Sequence, residues 1–240
     1  MTVTALSTAT DPTRNKARSL WVACGAHALH DGFTDTLYVL LPIWQAQFAL
    51  SYAAIGILRA LYTGVMAGFQ VPLASAARRI GGARILAAGT AAAAVAYLLL
   101  GMSYSVAALA MALILGGLGS STQHPIASSL VAAAYAGPRS RGALGTYNVA
   151  GDLGKMTLPS ITAGLAAVTS WRSAVLAIGV IGMLGAGIIL LLLRAGPMGP
   201  ARVQSALRPT NSATVLACCT GAFFSSWRLV SSTARRAWDF

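Results

Sequence analysis

The sequence predicts an all-α polytopic membrane protein with six transmembrane helices. Three observations predict it. Hydrophobic residues make up 56% of the 240 and charged residues 9%, where a soluble domain carries about 25% charged. Mean hydropathy is +0.69. The cationic residues behind the net charge of +12 fall in short clusters between long apolar runs. That is a pattern of membrane topology, not of a nucleic-acid surface, so no nucleic-acid partner is expected.

A spanning helix needs about 20 mainly apolar residues. Six stretches meet that need: 20–48, 53–77, 85–101, 106–134, 143–168 and 173–193. The links between them are short and rich in Gly, Pro and Ser, as helical hairpins require. The first stretch follows Arg14, Lys16 and Arg18, as a signal peptide would. It is too long and too polar in its middle for one, and no small-residue cleavage site follows. Cys24, Cys218 and Cys219 offer neither a disulfide framework nor a spaced metal pair, so free thiols are expected. The chain therefore reads as an arm over 1–18, a membrane domain over 19–195 and a tail over 196–240. The tail is rich in Ser, Thr and Arg; its apolar run at 213–224 is too short to span, and it is expected to be disordered or read out of frame.

Charge orients the helices. Arg14, Lys16 and Arg18 precede the first; Arg78, Arg79 and Arg84 lie between the second and third; Arg139 and Arg141 lie between the fourth and fifth; Arg194, Arg202 and Arg208 follow the sixth. The alternate links carry no charge except Arg172. Both termini are expected in the cytoplasm. The absence of glutamate and the excess of Arg, Ala and Gly suggest a GC-rich bacterial genome, and hence a bacterial plasma membrane.

The polar residues are unevenly shared. The third and sixth stretches are nearly free of ionisable groups and are expected to face lipid. The first holds His27, His30, Asp31 and Asp35; the second Arg59 and Gln70; the fourth Gln123 and His124; the fifth Asn148, Asp152 and Lys155. A charge inside the bilayer costs roughly 2.5–3.5 kcal/mol on insertion scales, so these groups must face a cavity or one another. At about 100° per residue, His27, Asp31, Asp35 and Tyr38 share one face of the first helix within about 80°, with His30 about 60° to the other side. Counted from the links, Asp31, His124, Asp152 and Lys155 lie at similar depth near the midplane, where carriers place substrate and ion sites. Arg59 falls level with Asp35.

His27 and Asp31, one turn apart, are candidates for proton coupling, against a merely structural pair. Asp35 and Arg59 are read as a possible buried ion pair. Asp152 and Lys155 either neutralise each other or separate, with Asp152 meeting His124 and Lys155 facing an anionic substrate. His30, Asp35, Arg59, Gln123, His124, Asn148, Asp152 and Lys155 are candidate substrate-cavity residues. Pro125 removes a backbone bond and clashes with the carbonyl of Ser121, so a kink is expected. Gly116, Gly119, Ser120 and Gly151 are assigned to close helix packing. "GLGSS" also invites an intramembrane serine protease, which pairs its serine with a histidine on another helix. The sixth stretch has no histidine, and an enzyme is not expected. Neither a metal nor a cofactor is expected.

These residues resemble the N-terminal half of a Major Facilitator Superfamily transporter, over about residues 19–195. In that fold the first, second, fourth and fifth helices of a half line or flank the cavity. The chain is most similar to fosmidomycin-resistance-like members. "HALHD" keeps His27 and Asp31 of their first-helix motif, with His30 in place of Asn. "GLGSSTQHP", Gly117–Pro125, matches their fourth-helix stretch, with Ile126 where a glutamate follows. "GTYNVAGDLGKMTLP" resembles the antiporters' fifth-helix glycine motif, with Lys155-Met156 in place of Gly-Pro. "ASAARRIGGAR" keeps Arg79 and Gly81 of the superfamily's loop between the second and third helices, with Ala74 for its glycine and Arg78 for its aspartate.

The resemblance implies a proton-coupled small-molecule transporter in the lipid bilayer, an exporter or antiporter working by alternating access. Six helices are half of the twelve it implies. The chain is read as a truncated, frameshifted or half-length form that needs a second six-helix half or a second copy. The rival is a non-transporting membrane subunit. The frameshift reading predicts that the downstream DNA encodes six more helices in another frame, and sequencing it checks this.

Overall fold

The computed structural model describes residues 12–135 and 137–194. By its internal contacts the chain divides into two units, Met1–Ala206 and Leu207–Phe240. All described residues belong to the first, and the predicted tail, 196–240, lies outside them. The described residues form seven helices and no strand: α1 Pro12–Gln47, α2 Tyr52–Ile80, α3 Gly82–Gly101, α4 Val106–Ser120, α5 Gln123–Ala134, α6 Ser140–Val168 and α7 Trp171–Arg194.

The links explain the reversals. Ser51 and Ser105 cap α2 and α4, their side chains accepting from the Ala54 and Ala108 amides at 3.2 Å. Between α2 and α3 a single residue turns the chain. Gly81 has φ +108°, a conformation open to glycine, which has no Cβ to clash. α1 begins at Pro12, earlier than predicted, so Lys16 and Arg18 lie on its first turns.

The predicted 106–134 helix is broken in two at Ser121–Thr122. The break falls where Pro125, four residues on, has no N–H to offer the Ser121 carbonyl. Side chains mend part of the loss: Ser121 Oγ donates to the Leu118 carbonyl at 2.6 Å and Thr122 Oγ1 to that of Gly119 at 2.9 Å. The two pieces together make one span-length rod, Val106–Ala134.

Among the described residues four rods are long and apolar enough to cross a membrane: α2, α3, Val106–Ala134 and Trp171–Leu192. α1 and α6 are not among them, and these helices carry Asp31, Asp35, Asp152 and Lys155. α7 exposes Val180, Ile181, Leu184, Ile188 and Leu191, as a lipid-facing helix would. α3 is more enclosed than predicted. It packs on α7 and α4, buries Leu86, Tyr97 and Leu100, and exposes only Leu99 of its large apolar side chains. Small residues draw it in: a Cβ on Gly119 would lie 2.5 Å from the Ala93 amide nitrogen of α3. Gly116 packs similarly: a Cβ there would lie 3.3 Å from the Ala96 and Tyr62 side chains.

Phe33, Leu37, Leu40 and Trp44, spaced along one face of α1, build the hydrophobic core with Leu58, Tyr97, Leu113 and Ile178. Trp44 and Trp171 meet edge to face at 6.3 Å. Arg172, the exception to the charge alternation, is held beside them. It donates to the Ser103 carbonyl at 3.1 Å and stacks 4.4 Å from the Trp171 ring and 4.6 Å from that of Tyr104.

α1 packs most extensively on α6. A Cβ added at Gly154 would lie 2.0 Å from the Ala28 carbonyl oxygen, whereas one at Gly164 would meet nothing within 4 Å. Gly154→Val is expected to cost about 1–3 kcal/mol by overpacking, and Gly164→Ala less than about 0.5 kcal/mol. Denaturant unfolding of the purified protein in micelles checks the contrast.

Candidate functional site

The α1–α6 crossing brings one face of each helix together. On α1, His27 and Asp31 are one turn apart, and both are buried. On α6, Tyr147, Gly151 and Lys155 follow at the same spacing. The Tyr147 ring stacks on His27 at 4.0 Å. Gly151 leaves the room the pair needs: a Cβ there would lie 2.7 Å from His27 Nε2 and 2.9 Å from Asp31 Oδ2.

The contacts of His27 constrain its protons. Nδ1 lies 2.9 Å from the Tyr147 carbonyl oxygen. A carbonyl can only accept, so Nδ1 carries hydrogen and donates it. Nε2 lies 3.1 Å from Asp31 Oδ2. A neutral imidazole protonated at Nδ1 would present a lone pair there, facing another acceptor. The contact is a hydrogen bond only with a further proton between the two atoms, as imidazolium with carboxylate or as imidazole with carboxylic acid.

Other groups converge on the same carboxylate. Lys155 Nζ donates to Asp31 Oδ2 and to Asp152 Oδ1, each at 3.2 Å. His124 Nε2, from α5, lies 3.7 Å from Asp31 Oδ1, its ring edge-on to His27 at 5.5 Å. With the shared proton, two carboxylates balance one ammonium and one imidazolium. His124, Asn148, Asp152 and Lys155 are exposed on the open side of the cluster.

One ligand atom each from His27, Asp31 and His124 lies within 4.8 Å of the others, a spacing a metal ion could use. The Lys155 ammonium already sits on that carboxylate and would repel a dication. The donor set therefore fits a proton better than a metal.

Several expected residues are placed elsewhere. His30 does not line the open face. It is buried on the other side of α1, within a chain of hydroxyls from four helices. Thr90 Oγ1 donates to the Leu86 carbonyl at 2.9 Å, so it accepts from His30 Nε2 at 3.0 Å. His30 Nδ1 lies 3.5 Å from Ser120 Oγ, Ser120 Oγ 2.8 Å from the Tyr62 hydroxyl, and that hydroxyl 3.0 Å from Thr34 Oγ1. Every member finds a partner. Ser120, assigned to packing, is thus a polar tie, and no open path leads to its hydroxyl. Gln123 is also fully buried; its Nε2 donates to the Tyr147 hydroxyl at 2.9 Å and steadies the ring that stacks on His27. It supports the cavity wall from behind.

Asp35 and Arg59 do not form the anticipated ion pair. Arg59 Nη2 donates to the Tyr38 hydroxyl at 3.0 Å, and its guanidinium carbon lies 4.5 Å from the Tyr38 ring and 5.6 Å from that of Tyr62. A planar cation lies well on an aromatic face, and the two rings take it first. Of the two alternatives for Asp152 and Lys155, the structure has them paired, with Lys155 also on Asp31; His124 meets Asp31 and not Asp152. Tyr147, Tyr62 and Thr90 were not foreseen. Tyr147 was readable, since it shares the face of Gly151 and Lys155. Thr90 gave no signal in an alanine-rich helix.

The fold and this cluster define a class: a helical membrane protein with ionisable groups gathered in its interior. The Major Facilitator Superfamily pattern matches residues 23–237, and the chain belongs to that superfamily. It is an integral membrane protein of a family of transporters, not enzymes. Two crystal structures of a bacterial homologue of the human lysosomal transporter Spinster, both inward-facing, share its fold. The unoccupied one has TM-score 0.66 and 20% identity, covering 77% of this chain and 44% of its own. The occupied one has the same score and identity, covering 79% and 46%. The chain therefore spans less than half the length of either. No curated protein matches it.

The geometry predicts strong coupling between His27 and Asp31. A double-mutant cycle with His27→Gln and Asp31→Asn is expected to give about 1–3 kcal/mol of interaction in unfolding stability. In a Gly151→Ala background, where the new methyl enters the pair, the same cycle is expected to give near zero.

Proposed function

We propose that the chain forms one six-helix half of a proton-coupled small-molecule transporter, exporting its substrate by alternating access in exchange for protons. The observation that carries this reading is the position of His27 between the Tyr147 carbonyl and the Asp31 carboxylate. The pair holds one proton in a cluster that the proton makes neutral. Release of that proton leaves a net negative charge in the cluster, and an uncompensated charge in low dielectric favours a change of surroundings. That is what coupling requires: a protonation state that biases which side of the membrane the site faces.

The open side supports the second part of the reading. His124, Asn148, Asp152 and Lys155 are exposed there, and charges against lipid are costly. A second six-helix half, from another copy of the chain or another polypeptide, would cover them and supply the opposite cavity wall. The stretches "HALHD" and "GLGSSTQHP" favour the fosmidomycin-resistance-like members as its nearest relatives. The arginine clusters favour a bacterial plasma membrane with both termini cytoplasmic. On this reading Arg78, Arg79, Arg84, Arg139 and Arg141 face the cytoplasm, and Ser51 and Ser105 the outside.

The test uses the purified chain in proteoliposomes with an imposed pH gradient. Mass spectrometry follows uptake from a mixture of small metabolites and antibiotics. Gradient-dependent uptake is expected, falling about tenfold or more in Asp31→Asn. Gradient dependence kept by Asp31→Asn would contradict the proton role. No uptake by the intact chain would favour a non-transporting subunit. Cysteines placed singly at Ser51 and Ser105 are expected to react with an impermeant thiol reagent on intact cells, and a cysteine at Arg139 only after lysis.

A further inference from the structure

We propose that the cleft between α3 and α4 seats an acyl chain of an anionic phospholipid whose headgroup is held by Arg172. No residue of the His27–Asp31 cluster lines this cleft. The lipid is therefore a bound component of the protein surface and not its cargo.

Arg172 stands in the alternate set of links, which otherwise carry no charge, so topology does not account for it. Its surroundings mark a depth. Trp44, Trp171 and Tyr104 gather at this end of the helices, and Trp and Tyr concentrate where hydrocarbon meets headgroups. The cation is also held in place. Trp171 Nε1 donates to Gln47 Oε1 at 2.6 Å, which fixes the ring. The guanidinium carbon lies 4.4 Å from that ring and 4.6 Å from the ring of Tyr104, while Nη2 donates to the Ser103 carbonyl at 3.1 Å. Aromatic rings cover the faces of a guanidinium and leave its N–H edge for an oxyanion such as a phosphate. A fork fixed beforehand loses little freedom on binding.

The cleft begins where Arg172 ends. Ser103, whose carbonyl takes the guanidinium, also lines the cleft. From there Leu99 and Met102 form one side and Ala108, Ala112, Leu115 and Leu118 the other, around about 560 Å³. The α4 residues recur every three or four positions and so share one face of the helix, and the two alanines hollow it. Met102 and Met111 are exposed at the rim, so the cleft opens sideways from the bundle. Ala108 to Leu118 is ten residues, about 15 Å. That is half of a hydrocarbon core of about 30 Å, the depth of one leaflet and of one acyl chain. An apolar slot of leaflet depth, with a fixed cation at headgroup level, complements both ends of an anionic phospholipid. A zwitterionic lipid fits the slot equally well but brings its own ammonium towards the guanidinium.

The test is photolabelling of the purified full chain in phosphatidylcholine nanodiscs. These are doped with phosphatidylglycerol, or with phosphatidylcholine, carrying a diazirine in one acyl chain, and mass spectrometry of the peptides locates the label. Residues 99–118 are expected to take about fivefold more label from the phosphatidylglycerol probe, the effect of one cation beside an anionic headgroup. Arg172→Gln is expected to remove that preference and leave labelling by the phosphatidylcholine probe unchanged. Met111→Trp, which narrows the cleft from its exposed rim, is expected to cut label from both probes several-fold. This variant carries the test if Arg172→Gln fails to fold. Unlabelled phosphatidylglycerol is expected to compete and glycerophosphate, a headgroup without a chain, not to compete. Equal labelling by the two probes in the wild type, a preference kept by Arg172→Gln, labelling unchanged by Met111→Trp, or competition by glycerophosphate equal to that by the lipid would each overturn the proposal.

Discussion

The structure depends on how closely α1 and α6 approach. At Gly154 the backbones nearly touch, with no room for a single methyl group against the Ala28 carbonyl. One turn away, Gly151 clears the space that the His27–Asp31 pair fills. The same contact thus serves packing and chemistry. In a membrane, where apolar surface gains little by leaving lipid, helices associate through such close small-residue contacts and through interhelical hydrogen bonds. α1 and α6 use both, and the hydrogen bonds are the ones that set the protons of His27.

From that crossing the polar interior divides into two parts with different characters. The His30 network on one side of α1 is closed: Thr34, Tyr62, Ser120, His30 and Thr90 satisfy one another, and they tie α1 to α2, α3 and α4. The His27–Asp31 cluster on the other side is open, with His124, Lys155 and Asp152 exposed at its edge. A satisfied buried network gives rigidity. The open cluster leaves its charged groups accessible from one side, which the closed network does not. Two histidines three residues apart therefore have unlike roles, separated by which face of one helix each occupies.

Much of this was legible in the sequence. The all-helical class and the order of the helices followed from the apolar runs, and the convergence of His27, Asp31, His124, Asp152 and Lys155 followed from periodicity and depth. Pro125 announced the break in the fourth rod four residues ahead of itself. What was not legible depended on rotation and on competition. Depth placed Arg59 level with Asp35 but did not show that Tyr38 and Tyr62 would take the guanidinium first. Residue type made His30 and Gln123 look like cavity groups. Only the packing of α1 against α3 and of α5 against α6 showed that they are sealed. Tyr147 needed the helix contact itself, because half of its role is played by a backbone carbonyl that no side-chain pattern encodes.

The central claim is that His27 and Asp31 share one proton, with Nδ1 of His27 permanently committed to the Tyr147 carbonyl. Nitrogen-15 NMR of the purified protein, labelled at histidine and assigned with His27→Gln, tests it most directly. The account predicts that Nδ1 of His27 stays protonated across the pH range in which the protein is folded. The proton at Nε2 should come and go together with the Asp31 carboxyl signal. An Nδ1 that is unprotonated at any pH within that range, or an Nε2 that titrates independently of Asp31, would contradict it.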